Sequence, residues 1–243
     1  MIKFNLTAVL VVILIIASFF IGSLFTKVQF LEKGVSKTTS QPANVNNNAP
    51  QGFGNADGVE KLKEEDHVRG DRNARVLLIE YSDLECPFCK SFHSTAQKIV
   101  DTYNGQVAWV FRHFPLSFHA NAQKEAEATE CANELGGNDA FWKYADALFE
   151  RTTSNGTGFA LDKLVPLAKE IGLNENSFKN CLDSGKYTKH VADDIAAGSQ
   201  AGVTGTPGNI LLDTKTGQTK LIPGALPFDQ FKTAIDAFLS ASY

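Results

Sequence analysis

The stretch Arg75–Cys89, RVLLIEYSDLECPFC, runs from an apolar segment straight into two cysteines separated by two residues. Arg75–Ser82 is short and almost continuously apolar, the signature of a strand buried on both faces. Beyond Cys89, the residues Phe92, Ala96, Ile99, Val100 and Tyr103 fall on one face of a helix that ends near Asn104-Gly105. Val107–Phe111 (VAWVF) reads as a second strand. Strand, helix and strand at this spacing predict a βαβ unit with a right-handed crossover.

Residues 117–202 read as wholly helical. NAQKEAEATECANELG, DAFWKYADALFER, ALDKLVPLAKEIG and SFKNCLDSG space their apolar residues near 3.6, and most stop at or close to a Gly or Asn. Val203–Gly208 (VTGTPG) then precedes a strand at Asn209–Asp213 (NILLD). Thr216-Gly217 turns the chain into a second short strand, Thr219–Ile222. Phe228, Phe231, Ile235, Phe238 and Leu239 mark a closing amphipathic helix with Pro227 near its first turn. The order βαβ, helices, ββα belongs to the α/β class.

A C-x-x-C opening a helix after a buried strand has two main physical uses. One is a metal half-site, which needs two further ligands. Cys131 and Cys181 form no second C-x-x-C, and a site mixed with His93 or His113 stays open as an alternative. The other use is thiol–disulfide exchange. Cys86 sits where unpaired backbone N–H groups and the helix macrodipole favour an anion, which lowers its pKa. Cys89 is placed to close a ring with it or to attack a mixed disulfide. Glu80, six residues earlier, lies inside the apolar strand, where a carboxylate is costly unless it has a partner or a task. Burial raises such a carboxyl toward the working range of a general base; the bland alternative is a face that reaches solvent.

Taken together, EYSDLECPFC (80–89), the helical stretch and Gly205-Thr206-Pro207 resemble the DsbA-like branch of the thioredoxin superfamily, over roughly Asp66–Phe238. The resemblance implies a thioredoxin fold with an inserted helical domain, and an exported protein acting on disulfides. Cys86 is then the exposed attacking thiolate, Cys89 the buried resolving partner, and Pro87 and Phe88 the residues between them. Glu80 matches the family's buried acid, the proton acceptor for the resolving cysteine. Pro207 takes a cis peptide bond, setting the Thr206 backbone against Cys86 to pair with an extended substrate. Cys131 and Cys181 resemble a second, structural disulfide of the helical domain. Two features depart from the pattern: Phe88 stands where the best-known oxidases carry His, and Gly208 follows the proline, where it is expected to loosen the loop. Both bear on redox direction. The expected function is disulfide formation in exported proteins; reduction or isomerisation on the same fold, or a non-catalytic metal module on Cys86 and Cys89, are the alternatives.

Leu6–Phe25 is twenty residues without a charge. As a helix it spans ~30 Å, the thickness of a hydrocarbon core. Residues 1–27 therefore read as a signal-anchor, with cleavage near Ala17 or Ser23 as the rival. Residues 28–58, rich in Asn, Ser, Thr, Gly and Pro, read as a disordered tether, leaving 59–243 as an extracytoplasmic catalytic domain. Overall the chain holds 27 acidic against 23 basic residues, with no Lys/Arg block, which argues against nucleic-acid partners. The partners expected are unfolded or partly folded exported proteins with cysteines and a membrane redox protein for recycling; no organic cofactor or resident metal is implied. His93 reads as solvated surface, His113 and His119 as loop packing, and His67 and His190 carry no signal.

Overall fold

Residues 54–241 are described by the structure, a computed structural model. Its elements, in chain order, are β1 (His67–Arg69), β2 (Val76–Ser82), α1 (Pro87–Tyr103), β3 (Val107–His113), α2 (Ala122–Arg151), α3 (Leu164–Glu170), α4 (Glu175–Ser184), α5 (Thr188–Gln200), β4 (Gly208–Asp213), β5 (Thr219–Pro223) and α6 (Phe228–Ser240). A 3₁₀ turn, Leu161–Lys163, precedes α3. The sheet has the order β1-β3-β2-β4-β5. The central strand β2 is parallel to β3, with Glu80 opposite Phe111, and antiparallel to β4, with Glu80 opposite Asn209.

Both faces of β2 are covered, which is why its sequence shows no polar alternation. Val76 and Leu78 join Trp109, Phe111 and Leu211 in one apolar layer with α1 and α6. Leu77, Ile79 and Tyr81 join Ala108, Val110, Ile210 and Leu212 in a second, closed by Ala201 and Val203. The apolar face of α1 (Phe92, Ala96, Ile99, Val100) is buried, and Phe92 meets Phe231 of α6 with ring centroids 5.0 Å apart. Burying a side chain of this size is worth ~1.5–3 kcal/mol, so the Phe92–Phe231 contact anchors the helix that carries the cysteines. Asn104, in the left-handed conformation at φ 37°, ends α1 where the sequence places its stop.

Four points of the sequence reading need correction. The tether does not run as far as residue 58: the Gly54 carbonyl accepts a hydrogen bond from Leu221 N at 2.8 Å, and Ala56 is buried with its N–H on Thr219 Oγ1. Strand β1 is absent from the sequence reading because three residues are too few to show a period; it pairs antiparallel with β3. The first two helical segments join into α2, interrupted only at Gly137, whose φ of 70° suits glycine. Helix begins at Ala122, not at 117. No helix among the described residues is long and apolar enough to cross a membrane, and Leu6–Phe25 lies outside them.

Candidate active site

Cys86 is the N-cap of α1 and Pro87 its first residue, the position where a missing N–H costs nothing. Cys86 and Cys89 are both free thiols. The Thr206–Pro207 bond is cis, and Cys86 Sγ donates to the Thr206 carbonyl oxygen at 3.5 Å. The expectation of an exposed Cys86 fails: it is only 3% exposed, because the Thr206 loop lies against it. Phe88, by contrast, is 64% exposed, and its side chain offers neither a proton nor a charge to the sulfur beside it.

The two sulfurs are strongly unlike. The Cys86 thiol is brought down from 9.0 to about 6, by the hydrogen bond from Cys89 first, against the opposing effect of burial. The Thr206 side chain and the backbone N–H groups of Cys89 and Phe88 add to the lowering. Cys89, fully buried, is pushed well above the ordinary range by burial, by its hydrogen bond with Cys86 and by the charge of Glu80. At neutral pH the pair therefore holds one negative charge, and Cys86 carries it.

Glu80 does not reach solvent. It shares its face of β2 with Val76 and Leu78, the layer in which Cys89 lies. Its Oε2 accepts from Trp109 Nε1 at 2.9 Å, while Oε1 has no hydrogen-bond partner. Burial raises its pKa to about 8, with Ser82 and Trp109 pulling it partly back. A carboxyl poised there can exchange a proton with a neighbour near neutral pH.

Several supports escaped the sequence reading. Asp83 Oδ1 accepts from Glu85 N at 2.7 Å, and Oδ2 meets His119 Nδ1 at 2.8 Å. Glu85 accepts from Gly158 N, Phe159 N and Thr152 Oγ1, tying the loop after α2 to the residue before Cys86. Three acids within six residues of an apolar stretch were the available signal, and only Glu80 was read from it. His93 is not a solvated surface group: its Nε2 lies 2.7 Å from Asp146 Oδ1, and its ring packs on Trp109 and Phe149. Nor does Gly208 loosen its loop. A Cβ there would stand 2.4 Å from Val203 Cγ1, so glycine allows close approach at the start of β4. Away from the pair, Cys131 and Cys181 are bonded at 2.00 Å, joining α2 to α4.

An easily ionised sulfur, a reluctant one sealed beneath it and a proline loop alongside can pass a disulfide to and from an extended chain. This is the chemistry of thiol–disulfide exchange proteins. The chain matches the family described as Thioredoxin over residues 62–237. Among solved structures it is similar to DsbA2 of Pseudomonas aeruginosa, at 30% identity and a TM-score of 0.63, covering 73% of this chain and 96% of that one. BdbD of Bacillus subtilis follows at 25% identity and a TM-score of 0.60, covering 72% and 94%. The chain belongs to the thioredoxin family, as a DsbA-like thiol–disulfide oxidoreductase. Among curated proteins it is 34% identical over 143 residues to the Na(+)/H(+) antiporter NhaA 3 of Salinispora tropica. That match covers 58% of this chain and only 21% of the antiporter, so the chain spans about a fifth of the length of such relatives.

Proposed function

We propose that the protein is a membrane-tethered, extracytoplasmic oxidase that forms disulfides in exported proteins, with Cys86 and Cys89 as its redox pair. A substrate thiolate attacks Cys86 of the Cys86–Cys89 disulfide, and Cys89 leaves as a thiolate that takes a proton from Glu80. A second substrate thiol, once deprotonated, attacks the mixed disulfide and releases Cys86. The substrate gains the disulfide, and the enzyme keeps the two electrons until a membrane redox partner removes them. Thr206 and Pro207 present the backbone edge along which the substrate aligns. Leu6–Phe25 supplies the tether and residues up to about 53 the spacer.

What supports the oxidase direction is the place of Cys86 at the start of α1 and against Thr206, where the Cys89 thiol and the backbone N–H groups of Cys89 and Phe88 lower its pKa. A thiol whose folded pKa is depressed contributes stability that is present above its unfolded pKa, near 9, and lost as pH falls through about 6. That contribution belongs to the reduced state alone, so it favours accepting electrons at neutral pH. Equilibration with glutathione is expected to place the potential above thioredoxin's ~−270 mV but below DsbA's ~−120 mV. A value at or below thioredoxin's overturns the oxidase direction. The exposed Phe88 sets the lower strength relative to DsbA: Phe88→His is expected to lower the Cys86 pKa further. Each tenfold gain in the equilibrium constant raises the potential by ~30 mV.

Glu80→Gln tests the proton step. The variant keeps the shape and the Trp109 hydrogen bond but cannot exchange a proton. Stopped-flow turnover of the wild type is expected to show an inflection near pH 8 that the variant lacks. The rate loss is expected at ~10²–10⁴-fold, the usual worth of a general acid–base group. An unchanged profile removes Glu80 from the mechanism.

A further inference from the structure

Three histidines and a glutamate that the redox chemistry does not use converge from four elements. His67 comes from β1, His113 closes β3, Glu130 lies on α2 and His190 on α5. His67 Nε2 and His113 Nε2 stand 2.7 and 2.8 Å from the same oxygen, Glu130 Oε1. Ligand atoms of these three residues all lie within 4.8 Å of one another. His190 Nε2 is 3.6 Å from that oxygen and 3.9 Å from Asp194 Oδ2, while Asp194 Oδ2 also accepts from His113 N. His67, His113 and Glu130 are each at most 3% exposed. The His190 side chain is 30% exposed and opens the cluster to solvent.

We infer that His67, His113, Glu130 and His190 form a binding site for one zinc-class divalent cation. The donor set decides the metal. Imidazole nitrogens with a single carboxylate suit zinc and its neighbours, whereas calcium and magnesium require six or more oxygen ligands. Tetrahedral ligation at ~2.0–2.2 Å sets donor atoms ~3.4 Å apart. The donors now in hydrogen-bond contact need only part slightly to admit the ion, and His190 closes the fourth position. The metal takes the place of the Nε2···Oε1 hydrogen bonds to Glu130. Glu130 is ready for this role. Its Oε1 already faces three imidazole nitrogens, at 2.7, 2.8 and 3.6 Å.

An ion held there clips the edge strand β1 and the end of β3 to the helices α2 and α5. It also leaves Cys86 and Cys89 free, so metal and redox chemistry do not compete for ligands. This separates the site from a metal module built on the cysteines, for which His93 is already engaged by Asp146.

The test uses the full chain in detergent, metal-stripped and fully oxidised so that no thiolate is available. Zn²⁺ is titrated by calorimetry and Co²⁺ by visible absorption. The expected result is one equivalent per chain, with Co²⁺ giving the spectrum of a four-coordinate nitrogen and oxygen site. Removing a ligand is expected to cost at least the ~100-fold that even outer-shell changes produce, in both Glu130→Gln and His190→Ala. Both variants should retain wild-type thiol-oxidising turnover. Should Glu130→Gln not fold, the partly exposed His190 still decides the matter. No stoichiometric binding, or one equivalent of undiminished affinity in His190→Ala, overturns the site.

Discussion

Cys86→Ser is expected to reduce thiol oxidation to the uncatalysed rate, whereas Cys89→Ala is expected to leave a protein that attacks but does not let go. The difference follows from the unequal sulfurs. Cys89→Ala loses the largest influence that lowers the Cys86 pKa, but Thr206 and the backbone N–H groups at Phe88 and position 89 still favour its thiolate, so Cys86 is expected still to attack a client disulfide. One client sulfur leaves as a thiolate and the other stays bonded to Cys86. The resolving thiol is gone, so the mixed disulfide persists. Expressed in the native host and resolved on non-reducing gels, Cys89→Ala should accumulate adducts that a reductant releases. Cys86→Ser should give none, since Cys89 is buried and its thiol stands well above the ordinary range. Adducts on Cys86→Ser would reverse the roles of the two cysteines, and their absence from Cys89→Ala would remove peptide exchange from the protein. The adducts also name the clients. The low exposure of Cys86 means that a client must displace the Thr206 loop or enter along its edge, so bulky folded proteins should be poorly represented among them.

How much of this was legible beforehand depends on range. Strands β2 and β4 and helices α1 and α6 announce themselves through continuous or periodic apolar residues, because burial acts on neighbouring positions at fixed spacing. The redox motif is equally local: four consecutive residues place a sulfur at a helix start. The charge clusters are not local. His67, His113, Glu130 and His190 span more than a hundred positions and come together only through the sheet order and the packing of α2 and α5. The role of Arg112 is hidden from the sequence for the same reason. Inside an apparently apolar strand it is 2% exposed and donates to Asp66, to Tyr81 Oη and to the carbonyls of Glu60 and Lys61. A guanidinium is admitted there because every donor direction finds an oxygen. The burial of Cys86 is equally non-local, because the covering residue, Thr206, lies 120 positions away.

Removing the Cys131–Cys181 bond is expected to weaken the domain strongly while leaving the redox pair intact. The two cysteines are 50 residues apart, and closing a loop of that length restrains the unfolded chain by about 4 kcal/mol. That is a large share of the ~5–15 kcal/mol that holds a domain together. The segment it secures has little else of its own. Helix α4 has 10 residues, too few to persist alone in water, and is held by Phe178 and Leu182 against α2 and α3. Tyr144 stacks on Phe178 at 5.3 Å, and Cys181 sits one turn further along the same face. The double variant Cys131→Ala with Cys181→Ala is the informative one, because a single change leaves a thiol free to attack Cys86. With a urea slope of roughly 2 kcal/mol per molar, the midpoint should fall by about 2 M. The Cys86 titration near pH 6 should not move, since neither cysteine touches the redox pair. A midpoint shift below about 0.5 M would instead assign the hold on α4 to its packing, with the bond adding little.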